Sequence, residues 1–109
     1  MQIQVSARRL DTSGRLRTHA ERRLRSKLGR FSSRIINAPV MITKLNRSNG
    51  RSDTRCRIQV RIRGLTQIVV EEVGKNPYIA VDRAADKVRR AVVRKLDRAR
   101  ESRRYSVVL

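Results

Sequence analysis

Five cations recur at helical spacing in the C-terminal third of the chain: Arg83, Lys87, Arg90, Arg94 and Arg98. Intervals of three and four residues put them on one side of an α-helix, in a row about 22 Å long at 1.5 Å per residue. Such a row makes and breaks no bonds; it attracts phosphates or another polyanion. Without one it repels itself by a few tenths of a kcal/mol per i,i+4 pair, and no acid is expected on the same face. A second set, Arg55, Arg57, Arg61 and Arg63, alternates with apolar residues and so lies on one face of a strand. It reads either as a secondary phosphate contact or as solubility and protection of a sheet edge. In the first helical segment Arg15, Arg22 and Arg25 point outward, while Arg23 and Lys27 flank the apolar stripe.

Bond-making chemistry has little to work with. One histidine, His19, and one cysteine, Cys56, allow no paired-histidine acid/base site, no Cys-ligated zinc and no internal disulfide. His19 is expected on the exposed side of its helix, and Cys56 at an inward strand position as a small buried hydrophobe. Glu71 and Glu72 are neighbours on a strand and face opposite ways, so they cannot share a proton. A nuclease built on His19 and Glu21 fails because residues two apart on a helix diverge by about 200°. We therefore expect no enzyme, cofactor, metal or small-molecule substrate.

Lys and Arg total 28 against nine acids, a net charge of +19 in 109 residues. That is far above the magnitude of about 2–8 that suits the solubility of a small domain, and it implies an anionic partner. The aromatics are only Phe31, Tyr78 and Tyr105, with no Trp, so base stacking on aromatic platforms is disfavoured. Phosphate tracking on folded RNA fits better. No apolar run approaches the ~20 residues of a membrane span, and Met1-Gln2-Ile3-Gln4-Val5 alternates like a strand rather than a signal peptide. A cytoplasmic protein with no membrane partner is expected.

The elements that position these groups read in order. Residues 2–6 alternate as a strand, and Leu16, Ala20, Leu24 and Leu28 stripe a helix over about 13–28, with Asp11, Thr12 and Ser13 as cap candidates. Gly29 stops it, and Phe31 and Ile35 look like core residues in the connection. Pro39 opens a strand through Leu45, residues 46–53 form a loop around Asn49-Gly50, and Cys56 to Ile62 form a strand. Leu65 to Glu72 makes a fourth strand, and Asn76-Pro77 starts a helix over about 77–101. Along that helix Tyr78, Val81, Ala85, Val88, Val92, Leu96 and Ala99 share a side, with Asp82, Asp86 and Asp97 flanking it, within reach of arginines three or four residues away. Two helices with one apolar face each must cover one side of a four-stranded sheet, giving a β-α-β-β-β-α two-layer α+β sandwich. Residues 1–101 form a single domain, and 102–109 a flexible tail.

At the last helix the residues become specific. Asn76-Pro77-Tyr78-Ile79-Ala80-Val81-Asp82, then Asp86-Lys87-Val88-Arg89-Arg90 and Arg94, resembles the ribosome hibernation promoting factor and ribosome-associated inhibitor family. That family reads Asp-x-Tyr-x-Ala-Ile-Asp, then Asp-Lys-Leu-x-Arg-Gln-Leu, then Lys. Met1-Gln2-Ile3, Arg8, Leu16-Arg17, Phe31 and Ile35 also match, so the resemblance spans residues 1 to about 101. It implies a non-enzymatic stationary-phase or stress factor that occupies the mRNA and tRNA channel of the small ribosomal subunit and blocks translation by occupancy. Carried over, the rRNA-contacting positions are Lys87, Arg90, Arg94 and Arg98, with Arg23 and Arg8. The family's second first-helix lysine meets Ser26, with Lys27 one residue on, and the arginine face of the third strand is more basic than the family usually shows. The extra C-terminal dimerisation domain of the family's long form has no counterpart here, so the chain resembles the short form and a monomer is expected. The other reading is a general double-stranded RNA- or DNA-binding module without ribosomal specificity.

Overall fold

The computed structural model describes residues 1–10, 14–46 and 52–108, with side chains described as far as residue 103. The chain runs β1 (Gln2–Arg8), α1 (Gly14–Leu28), a 3-10 turn (Gly29–Phe31), β2 (Ile35–Asn46), β3 (Ser52–Ile62), β4 (Ile68–Gly74) and α2 (Pro77–Val108). The sheet order is β1-β2-β3-β4. β1 and β2 are parallel, which requires the crossover that α1 provides; the other two pairings are antiparallel. The expected two-layer α+β arrangement is what the chain adopts.

Strand alternation builds the core. Val5, Val40, Ile42, Cys56, Ile58, Val60, Ile62 and Val70 turn to one face and are buried against Leu16, Ala20, Leu24 and Leu28 of α1 and Val81, Ala85, Val88 and Val92 of α2. Full burial of each large aliphatic side chain contributes about 1.5–3 kcal/mol, so this single layer dominates stability. Ala80 and Ala84 are also buried, and their small side chains let α2 lie close to the sheet. Gly74 allows the closest approach: a Cβ there would stand 2.7 Å from the Ala80 backbone nitrogen. At the start of α2, Asn76 Oδ1 accepts from the Ile79 backbone N–H at 3.0 Å, the expected cap.

Several expected boundaries move. β2 begins at Ile35, four residues before Pro39, because Ile35 pairs with Ile62 and a register shift between Ile35 and Asn37 accommodates the strand; Pro39 lies inside it opposite Gln4. Ile35 is thus a buried strand residue rather than part of a connection. β1 extends to Arg8, β4 is displaced to Ile68–Gly74, and Asn46, Ser52 and Asp53 are hairpin residues rather than loop. The Asn49-Gly50 turn and the cap at residues 11–13 lie outside the described residues. Tyr78 remains 38% exposed rather than joining the core. The helix α2 does not end near residue 101 but continues to Val108.

Candidate nucleic-acid interface

All five cations of the α2 row are exposed, but the row divides into two parts with different surroundings. At its N-terminal end Arg83 Nη1 donates to the Val73 carbonyl at 2.8 Å, and Lys87 Nζ reaches the Glu71 carbonyl at 3.4 Å. These two side chains cover main-chain acceptors of β4, an edge strand. Lys87 also lies 3.6 Å from Glu72 Oε1. The expectation of a row without a compensating acid is therefore corrected at Lys87: a carboxylate from the neighbouring strand reaches it, which a helical wheel cannot show. The side chains of Arg90, Arg94 and Arg98 have no hydrogen bond or ion pair within 4.0 Å among the described residues, although Arg90 contributes to the positive charge around Asp86. They are a one-signed row of about 12 Å on a helix whose opposite side is clamped to the sheet.

The flank of α2 facing α1 carries its acids. Asp82 Oδ1 lies 2.7 Å from His19 Nε2 and 3.1 Å from Arg23 Nε, and Asp86 Oδ1 lies 2.9 Å from Lys27 Nζ. A hydrogen bond from Lys27, reinforced by the positive charges of Lys27, Arg90 and Arg23, holds the Asp86 carboxyl below the usual carboxylate range. Asp82 and Asp86 thus make their direct bridges to α1, and of the arginines of their own helix Arg90 adds an attraction to Asp86. His19 is correspondingly no exposed bystander. Its ring is three-quarters covered and meets Tyr78 edge-on, with centroids 5.0 Å apart.

Beside the Lys27–Asp86 bridge lies an open groove of about 630 Å³. Lys27, Arg89, Arg90 and Arg94 set four cations around the single carboxylate of Asp86, above an apolar floor at Val93. Arg89 was not among the expected site residues, because its place on the wheel matters only once α1 is known to lie beside it. Arg22 stands farther along α1, beside His19 and Tyr78. The structure therefore gathers Arg23, Lys27, Lys87, Arg90 and Arg94 on the helical layer and leaves Arg22 and Arg98 towards its two ends. It does not bring Arg8 to them. Arg8 alternates with buried Val5 and lines the far face of the sheet, with Arg55 and Arg57. Among the described residues no group of three or more His, Cys, Asp or Glu is placed to hold a metal, and no helix is long and apolar enough to cross a membrane.

Residues 3–100 match the model of a family described as sigma 54 modulation protein / S30EA ribosomal protein. The chain belongs to this family. The motif from Asn76 to Arg94 points to it, and the match runs from β1 through α2 as far as residue 100. The Thermus thermophilus Protein Y N-terminal domain is 28% identical, with a TM-score of 0.71 over 86% of this chain and 98% of that one. A ribosomal subunit interface protein from Coxiella burnetii is 20% identical, with a TM-score of 0.73 over 89% and 99%. At that identity the second likeness is one of fold. No curated protein matches the sequence.

Proposed function

We propose that the protein is a non-enzymatic, ribosome-associated translation inhibitor of the cytoplasm, acting in stress or stationary phase. It binds in the mRNA and tRNA channel of the small subunit, through helix-borne cations on rRNA phosphates. The observation that carries this reading is the unpaired row Arg90, Arg94 and Arg98 on a packed helix, in a chain of the S30EA family. The packed helix fixes the spacing of these side chains, and their planar guanidinium forks suit phosphate oxygens. Lys87, Arg89 and the bridged pair Arg23 and Lys27 border the row; Arg83 and Arg22 extend it at its edges. Occupancy alone excludes mRNA and tRNA, so no reacting group is needed.

The test is co-sedimentation with small ribosomal subunits. The triple variant Arg90→Glu, Arg94→Glu, Arg98→Glu breaks no hydrogen bond or ion pair among the described residues, though it removes the attraction of Arg90 for Asp86, and should lose binding while remaining folded by thermal melting. Retained binding by a folded triple variant would overturn the site. Competition with bulk duplex RNA at equal salt separates a ribosomal address from general duplex binding: a general module is displaced by an equal mass of duplex, a ribosomal factor is not.

A further inference from the structure

The face of the sheet turned away from the helices carries a charge pattern that the helical interface does not use. In register across the strands, Arg8 lies opposite Thr43 and Thr43 opposite Arg55; Ser6 lies opposite Met41, and Met41 opposite Arg57. Together they line a broad depression of about 700 Å³ that is open to solvent. Arg61 is exposed farther along the same face of β3. The side chains of Arg8, Arg55, Arg57 and Arg61 have no hydrogen bond or ion pair among the described residues, although Glu71, which also lines the depression, is the direct cross-strand neighbour of Arg57.

Edge protection does not account for these arginines, because β3 is an interior strand with β2 on one side and β4 on the other. Solubility does not call for them either in a chain already at +19. Every one is arginine, the cation whose fork matches phosphate oxygens two at a time. Arg55 and Arg57, two residues apart on one strand, are separated by about 6.6 Å along it, close to the interval between successive phosphates of an RNA strand. Ser6 and Thr43 place hydroxyl donors between them. The molecule is a slab whose shortest dimension is 17 Å, so this face and the helical layer form its two opposite broad sides.

We propose that the open sheet face is a second RNA-backbone surface, so that RNA phosphates hold the protein on both broad sides. This rests on the RNA-binding part of the function proposed above and not on its ribosomal part. The occupant is phosphate of a folded RNA, met by Arg8, Arg55 and Arg57 with Arg61 at the margin. A protein so gripped fits a cleft between two RNA walls better than the outside of one helix.

The experiment measures affinity against salt for native protein and for Arg8→Gln/Arg55→Gln/Arg57→Gln, on small ribosomal subunits and on a 20-base-pair RNA duplex. Loss of three phosphate contacts should make the slope of log affinity against log salt shallower by about 2–3 on the subunit, with at least a tenfold loss of affinity at 100 mM. An unchanged slope and affinity there overturns the proposal. The Arg→Lys version of the same variant keeps the charge and should keep the slope; if it loses the slope as well, a role for charge is overturned. Should the glutamine variant fail to fold, Ser6→Cys carrying a tethered hydroxyl-radical source decides the matter, because the only other cysteine, Cys56, is fully buried. Cuts in rRNA from Ser6→Cys support the proposal; cuts from a control at Thr18→Cys on α1 but none from Ser6→Cys overturn it. If native protein binds the duplex and not the subunit, the ribosomal reading fails alone and the same slopes on the duplex decide the sheet face. If it binds neither, both fall.

Discussion

Cys56 sits on the interior strand β3 with none of its surface exposed, and burial pushes its thiol up from 9.0 to about 12. The folded state therefore keeps a proton that the unfolded chain releases near pH 9. The stabilisation is complete below about pH 9 and declines as pH rises towards 12, which a series of urea midpoints from pH 8 to 11 should show. Cys56→Ala should flatten that alkaline decline, and native Cys56 should resist alkylation at pH 8 until the protein is unfolded. Gly74 makes a steric demand of another kind. A Cβ there would press on the Ala80 nitrogen at 2.7 Å and on Ile79 Cγ2 at 2.9 Å, and helix backbone cannot swing aside. Gly74→Ala should cost about 1–3 kcal/mol in denaturant unfolding. Gly29→Ala, where a Cβ meets nothing within 4 Å, serves as the neutral control.

At the scale of elements, the contact between α1 and α2 depends on carboxylates held between cations. Asp86 has its carboxyl lowered first by the hydrogen bond from Lys27, so the bridge contributes fully above the ordinary carboxylate value of 3.8 and is lost as pH falls through the lower folded value. Thermal melting between pH 2 and 6 should fall on the acid side, and Asp86→Asn should remove part of that fall. The same substitution deletes the one carboxylate of the groove and should strengthen RNA binding several-fold at low salt. This bridge also marks where legibility in the sequence stopped. Periodicity located both helices and their buried sides, since Leu16, Leu24, Val81 and Val88 repeat with the turn of a helix. It could not say what lies against the flanks, so Asp82 and Asp86 read as partners for arginines of α2 alone, whereas Arg23 and Lys27 of α1 make the direct bridges and Arg90 adds to the charge around Asp86. The alternation of Cys56 to Ile62 likewise fixed which side of β3 is buried but not that β3 is interior. Arg8, carried over with the helical cations through the family resemblance, lies on the other face of the sheet, since neither resemblance nor local pattern carries the layer.

For the whole molecule, charge sets a condition that no internal arrangement can meet. If each of the nine carboxylates neutralised one cation, nineteen of the 28 would still be left over. The described bridges in fact engage few of them, and the α2 row and the sheet face each add uncompensated arginine. Self-repulsion must then oppose folding of the free protein, and added salt must relieve it, because exposed charges interact only within about 10 Å at 0.1 M salt and 3 Å at 1 M. The RNA complex depends on the same charges in the opposite sense: six to ten phosphate contacts would lose about a thousandfold or more in affinity between 50 and 200 mM salt. One titration from 50 to 500 mM should therefore raise the melting temperature of the isolated protein while it dissociates the RNA complex. A melting temperature that falls with salt would mean that the bridges to Asp82, Asp86 and Glu72 outweigh the repulsion, and that the fold does not need a polyanion beside it. A rising one, together with the steep loss of RNA, ties stability and binding to the same surplus of arginine.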